Sequence, residues 1–217
     1  MGVNKAFVTL LATCIFKISQ RVNKDILHYL SGKDKVLKQV IETIPAPEII
    51  STKNVFHDLM SCILEQQIHY RSTKKTFQRM LVAAEMNSLT PTNFEHFEAL
   101  GLKDKKLSTQ KYETLEQVVD YFENNTIHWE QLSDEEVRAI LVNIKGISNW
   151  TADMILMYTL ERDNVLPLDD YHLKQLMGRL YQVEGKKAMR AVGEHWAPYQ
   201  SWAVKYLFGW KEFHKKQ

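Results

Sequence analysis

From residue 56 to residue 210 the apolar side chains of this chain recur at steps of three and four. No run alternates apolar with polar long enough to build a sheet. Phe56, Leu59, Met60, Ile63 and Leu64 share one helical face, as do Leu115, Val118, Val119 and Phe122. Val137, Ile140 and Leu141 follow "SDEE", in which Ser133 and Glu136 have the three-residue spacing of a capping box. Leu173, Leu176, Met177 and Leu180 form a further stripe, and Trp202, Ala203, Tyr206, Leu207 and Trp210 the last. This periodicity predicts an all-α fold of roughly ten helices. "IPAPEI", "LTPTN" and "NVLPLDD" read as connections. There is no internal repeat and no low-complexity segment.

With 217 residues the chain is long enough for one large core or two small ones. A formal charge of +2 excludes a histone-like polycation and leaves room for a local basic face. Cys14 and Cys62 are the only cysteines, and no C-x-x-C pair is present. A zinc ribbon, an iron–sulfur cluster on four thiolates and a disulfide framework are therefore not expected. "KAFVTLLATCIF" begins like a secretory signal, but no clean small-x-small cleavage pattern follows. The run is also too short to span a bilayer, and Ala6 argues against N-myristoylation. The expectation is a cytoplasmic protein with no membrane association.

"NIKGISNWTADMILM" (143–157) breaks one helix and restarts another at once. Gly146 has no Cβ, so its backbone can turn left-handed and approach another surface closely. The N–H groups of the turn, opening onto a new helix, then form an anion site suited to a nucleic-acid phosphate. An ordinary αα-hairpin with a capping glycine explains the same residues equally well. Downstream, Pro167 stiffens the entry to the Leu173 stripe, and Asp169 and Asp170 both stand where an N-cap is expected. One carboxylate suffices to cap, which leaves the other free for chemistry.

Together these segments resemble the helix-hairpin-helix DNA glycosylase superfamily, most closely its 3-methyladenine DNA glycosylase II branch. Gly146 to Ala152, "GISNWTA", is similar to that family's hairpin, and "PLDD" (167–170) follows at the family's interval, ending on its catalytic Asp. "ILEQQIHYRSTKKTF" (63–77), "LSTQKYETLEQVVDYF" (107–122) and "HWAPYQSWAVKYLFGW" (195–210) resemble three further motifs in the family's order, so the likeness covers about residues 35 to 210. The chain departs from the pattern at His69, Gln200 and Phe208, where the family carries Ser, Arg and Trp.

The resemblance implies two helical lobes in one unit, with an active-site cleft between them. The central lobe would span about 52–166, and the second would combine 1–51 with 167–217. It assigns catalysis to Asp170 and leaves Asp169 as the helix cap. Trp150, Met154, Tyr171 and Phe208 would form a base pocket, and Gln67 would plug the gap left by a flipped base. Lys145, Gly146, Ser148 and Thr151 of the hairpin, with Arg71 and Lys74, would hold DNA. The carbonyls of Val142, Ile144 and Ile147 would hold a sodium or potassium ion, with no other cofactor required.

An aromatic pocket favours cationic alkylated purines through stacking and cation–π attraction. Trp150 stands where strand-cutting relatives carry a nucleophilic Lys. The expected activity is therefore a monofunctional glycosylase of base excision repair. It would act as a monomer on damaged double-stranded DNA, removing bases such as 3-methyladenine and 7-methylguanine. Excision of deaminated or mismatched bases on the same fold, and a non-catalytic DNA-binding module, remain as alternatives.

Overall fold

The computed structural model describes residues 24–47, 51–65, 74–103 and 105–215, with the backbone alone at 74 and 75. Among these residues there are eleven α-helices and no strand. They are α1 (Lys24–Lys33), α2 (Lys35–Thr43), α3 (Val55–Leu64), α4 (Lys74–Ala83), α5 (Phe94–Gly101) and α6 (Thr109–Asn124). The series continues with α7 (Asp134–Asn143), α8 (Asn149–Met154), α9 (Tyr171–Tyr181), α10 (Gly185–Glu194) and α11 (Gln200–His214). No described helix is long and apolar enough to cross a membrane.

Local chemistry starts several of these helices where the sequence places them. The Ser133 hydroxyl accepts from the Glu136 N–H, and the Glu136 carboxylate accepts from the Ser133 N–H, which completes the capping box of α7. The Ser133 N–H and the Ser133 hydroxyl both donate to Glu136 Oε2 at 2.8 Å, and these two bonds hold the exposed Glu136 carboxyl below the usual carboxylate range. Asp34, Asn54, Ser108 and Ser148 cap α2, α3, α6 and α8 in the same way. Each such cap contributes roughly 1 kcal/mol.

Helix α3 is buried along its whole length and packs on α6 and on the segment after α8. Helices α4 and α5 pack on each other. Beyond Met154 the backbone widens into a π-helical turn over Ile155–Thr159, where Leu160 N–H reaches the Ile155 carbonyl at 3.0 Å. The Thr159 hydroxyl donates to Asp58 Oδ2 of α3 at 2.7 Å, which pins that turn to the core.

The last described helix packs back on one of the first. Helix α11 packs against both α2 and α9. Asp34 Oδ1 accepts from the Leu37 N–H as the α2 cap, while its Oδ2 accepts from Tyr181 Oη at 2.9 Å and Trp196 Nε1 at 2.7 Å. Burial, reinforced by the Asp34 charge, raises the Tyr181 phenol above its ordinary range and keeps it a donor. A residue acting as a local cap thus also fastens α2 to the end of α9 and to the segment between α10 and α11.

Candidate functional site

The hairpin turns between α7 and α8. Ile147 N–H donates to the Ile144 carbonyl at 3.0 Å, and Gly146 takes φ +94°, as a left-handed turn demands. The surface it approaches belongs to the protein itself. A Cβ built on Gly146 would lie 2.2 Å from Thr114 Oγ1 of α6. Ser148 then caps α8, accepting from Thr151 N–H at 3.2 Å. Lys145 stands out from the turn with a side chain 78% exposed, loosely paired with Glu113 at 3.9 Å.

The second half of the hairpin aims at Asp170. The Trp150 indole N–H donates to Asp170 Oδ2 at 2.7 Å, and Leu173 N–H donates to Asp170 Oδ1 at 2.7 Å. The carboxylate is only 5% exposed and receives one donor from each of two helices. Tyr171, the first residue of α9, is 67% exposed, and its ring meets His172 edge-on at 5.3 Å between centroids. Phe208 is half-buried on α11, the helix that packs against α9.

The structure departs from the sequence expectation at three residues or pairs of residues. Asp170, not Asp169, is the N-cap of α9, because the chain turns one residue later than an Asp169 cap requires. Asp169 is exposed and pairs with Lys186 of α10 at 2.5 Å. The cap of α9 is thus the carboxylate that the Trp150 indole also reaches. Thr151 is fully buried and its hydroxyl lies 3.1 Å from Ser148 Oγ, so its side chain braces the hairpin and presents nothing to a duplex. Met154 is 1% exposed and belongs to the core, not to an open ring face. Gln67 and Arg71 lie outside the described residues, as does the side chain of Lys74.

Several contacts around the site have no local signature in the sequence. Arg138 of α7 donates through Nε and Nη2 to Asp153 Oδ1 at 3.0 and 2.9 Å, which latches the two hairpin helices together. Burial raises the Asp153 carboxyl, and the Arg138 bonds pull it back down. Next to Asp170, Lys211 of α11 contacts His172 Nδ1. Burial first, and then the Lys211 charge, push His172 below the ordinary imidazole range, which favours its neutral form. Lys205 is 1% exposed, with its ammonium 4.8 Å from the Trp202 ring centroid and 5.6 Å from that of Tyr158. A lysine inside the last apolar stripe was the one sequence cue to that contact.

A tight hairpin with its glycine in the left-handed region, followed by a helix whose Trp holds the Asp that caps another helix, is a particular arrangement. The sequence model described as "HhH-GPD superfamily base excision DNA repair protein" matches residues 60–198, which include all of it. The chain belongs to the HhH-GPD superfamily. Among curated proteins it is 28% identical over 196 residues to DNA-3-methyladenine glycosylase 1 of Schizosaccharomyces pombe, covering 84% of each chain. Among solved structures, a DNA-3-methyladenine glycosidase from Bacillus halodurans superposes with a TM-score of 0.70 at 28% identity, over 92% of this chain and 94% of that one. An S. pombe 3-methyladenine DNA glycosylase in complex with abasic DNA gives a TM-score of 0.69 at 27% identity, over 86% and 95%. The HhH-GPD hairpin is therefore Ile144–Ser148 in this chain, and α8 is the helix that follows it.

Proposed function

We propose that this HhH-GPD protein is a monofunctional DNA glycosylase that hydrolyses the N-glycosidic bond of alkylated, cationic purines such as 3-methyladenine and 7-methylguanine in double-stranded DNA. The observation that carries the reading is the Asp170 carboxylate, held by Trp150 Nε1 and Leu173 N–H beside the hairpin. The 3-methyladenine activity for which the S. pombe and B. halodurans relatives are named supports the substrate class.

In this reading the target nucleotide leaves the stack, which costs a few kcal/mol and least for a damaged base. The exposed Tyr171 ring, with Trp150 and Phe208, supplies faces for a cationic base, each worth roughly 1–3 kcal/mol by stacking. The C1′–N bond breaks, and its electron pair leaves with the base. An alkylated purine cation departs neutral, so no general acid is required. Positive charge grows on the sugar. At about 4 Å and an effective dielectric near 20, the Asp170 carboxylate stabilises that charge by roughly 4 kcal/mol, about a thousandfold in rate. Water then attacks C1′, and its proton passes to Asp170 or to solvent.

The backbone phosphate lies on the hairpin in this proposal, contacted by its N–H groups and by the Lys145 ammonium. Lys145→Ala leaves stability unchanged, because its one described partner is an exposed carboxylate at 3.9 Å. It lowers the slope of log affinity against log salt by about 1 on damaged and undamaged duplex alike. An unaltered slope would remove Lys145 from the phosphate contact.

Two features of the hairpin favour a monovalent cation on its carbonyls. Val142 lies in the last turn of α7, where carbonyls lack an intrahelical partner. The Ile144 carbonyl keeps a lone pair beyond its bond to Ile147 N–H. Ile144 and Ile147 are 4% and 6% exposed, and their burial anchors the turn. A sodium or potassium ion held by Val142, Ile144 and Ile147 would add positive charge beside the phosphate. The protein acts as a monomer, since one DNA-binding face calls for no partner copy.

A lesion panel tests the reading: duplexes with 7-methylguanine, 3-methyladenine, hypoxanthine or uracil, incubated with protein and then treated with alkali. Breaks at the methylated purines are expected. Breaks confined to hypoxanthine or uracil would shift the substrate class, and none at all would leave a DNA-binding protein. Without alkali the strand stays whole, and borohydride traps no protein–DNA adduct, because Trp150 offers no amine to the sugar. A trapped covalent complex would overturn the monofunctional reading.

A further inference from the structure

We propose that Trp150 acts through its indole N–H as the positioning residue of the Asp170 carboxylate, in addition to any face it offers a base. This inference rests on the reading of Asp170 given above. An N-cap bond fixes one carboxylate oxygen and leaves the other free to swing. Here the second oxygen is also fixed, at 2.7 Å, by a donor from a different helix. An indole can only donate, and a hydrogen bond to an ionised acceptor is about twice as strong as a neutral one. The contact therefore holds the ionised carboxylate in one plane, with its remaining lone pairs turned to the site.

The indole's aim is itself secured. Trp150 lies in the first turn of α8, and Asp153, one turn further on, is latched to Arg138 of α7. Ser148 fixes the start of the same helix. Lys211 and His172 lie within electrostatic reach of Asp170, whereas Trp150 bonds its carboxylate directly. The bond runs along the edge of the indole, so the ring face remains available for stacking. Substitution can separate the two roles.

Trp150→Phe keeps an aromatic face and deletes the N–H. The full-length wild type, Trp150→Phe, Asp170→Asn and the double variant are compared for affinity to two duplexes. One carries a cationic pyrrolidine in place of the abasic sugar, and the other carries neutral tetrahydrofuran. An enzyme built for a sugar cation prefers the pyrrolidine. Trp150→Phe is expected to lose that preference by tenfold or more and to bind tetrahydrofuran duplex within twofold of wild type, which also reports an intact fold. Single-turnover excision of 7-methylguanine falls by about tenfold to a hundredfold, the range of a lost hydrogen bond to a charged group. In the Asp170→Asn background the same substitution changes neither affinity, because the two residues act as a unit.

An undiminished preference in Trp150→Phe would overturn the inference, as would an equal loss in both backgrounds, which would assign the effect to stacking. A wild type that neither excises 7-methylguanine nor prefers the pyrrolidine would overturn the glycosylase reading, and this inference with it.

Discussion

Asp170→Asn is expected to lower single-turnover excision of a methylated purine by about a thousandfold or more, with affinity for undamaged duplex unchanged or slightly higher. The electrostatic part follows from the roughly 4 kcal/mol lost when the charge facing the sugar cation is removed. The geometry adds to it. Both oxygens of Asp170 are acceptors, one for Leu173 N–H and one for Trp150 Nε1. An amide has one acceptor and one donor end. If its oxygen stays on the helix cap, its NH2 faces the indole N–H, donor against donor. The substitution therefore removes the charge and also breaks the orientation of what remains. Asp169→Asn is the matched control. Asp169 is exposed and holds only a surface pair with Lys186, worth about 0–1 kcal/mol, so excision stays near wild type. Reversed phenotypes, with Asp169→Asn inactive and Asp170→Asn active, would move the chemistry from Asp170 to Asp169.

Local rules account for most of what the sequence disclosed. The capping box at Ser133 and Glu136, the apolar stripes of α3, α6, α9 and α11, and the break at Gly146 all depend on neighbours within four residues, and the structure has each of them. The carboxylate pair was legible as a pair only. Which member caps depends on where the chain leaves the loop after Pro167, and Asp170 N–H bonds the Pro167 carbonyl at 2.9 Å, a turn that puts the cap one residue later. Thr151 shows the same limit. A hydroxyl three residues past the hairpin looks available to DNA, but its position on α8 turns it inward onto Ser148. Trp150 to Asp170 spans 20 residues and Arg138 to Asp153 spans 15, and no spacing rule links them. Those contacts exist because α7 packs on α8 and the fold brings the start of α9 within reach of Trp150, which is a property of the whole core.

Gly146→Val is expected to cost roughly 2–6 kcal/mol of stability, before any effect on DNA. Two penalties add. Holding a β-branched residue at φ +94° costs about 1–3 kcal/mol. Forcing new atoms against Thr114 costs about 1–3 kcal/mol more, since the first of them would sit 2.2 Å from its hydroxyl and 2.8 Å from its methyl. Thr114 cannot simply move aside: it is 6% exposed, and its hydroxyl donates to the Gln110 carbonyl at 2.8 Å. Set against a total of about 5–15 kcal/mol, the loss should lower the melting temperature by on the order of 10 °C. The two penalties separate in a cycle. In a Thr114→Ala background, Gly146→Ala loses the contacts with Oγ1 and Cγ2 and keeps the backbone strain, so it should cost less than it does in wild type. Equal costs in both backgrounds would mean that Thr114 does not constrain the turn. A Gly146→Val protein melting with wild type would mean that the hairpin is not held in this geometry at all. The glycine thus answers first to the packing of α6 against the hairpin, and any phosphate contact is made by a turn whose shape Thr114 already dictates.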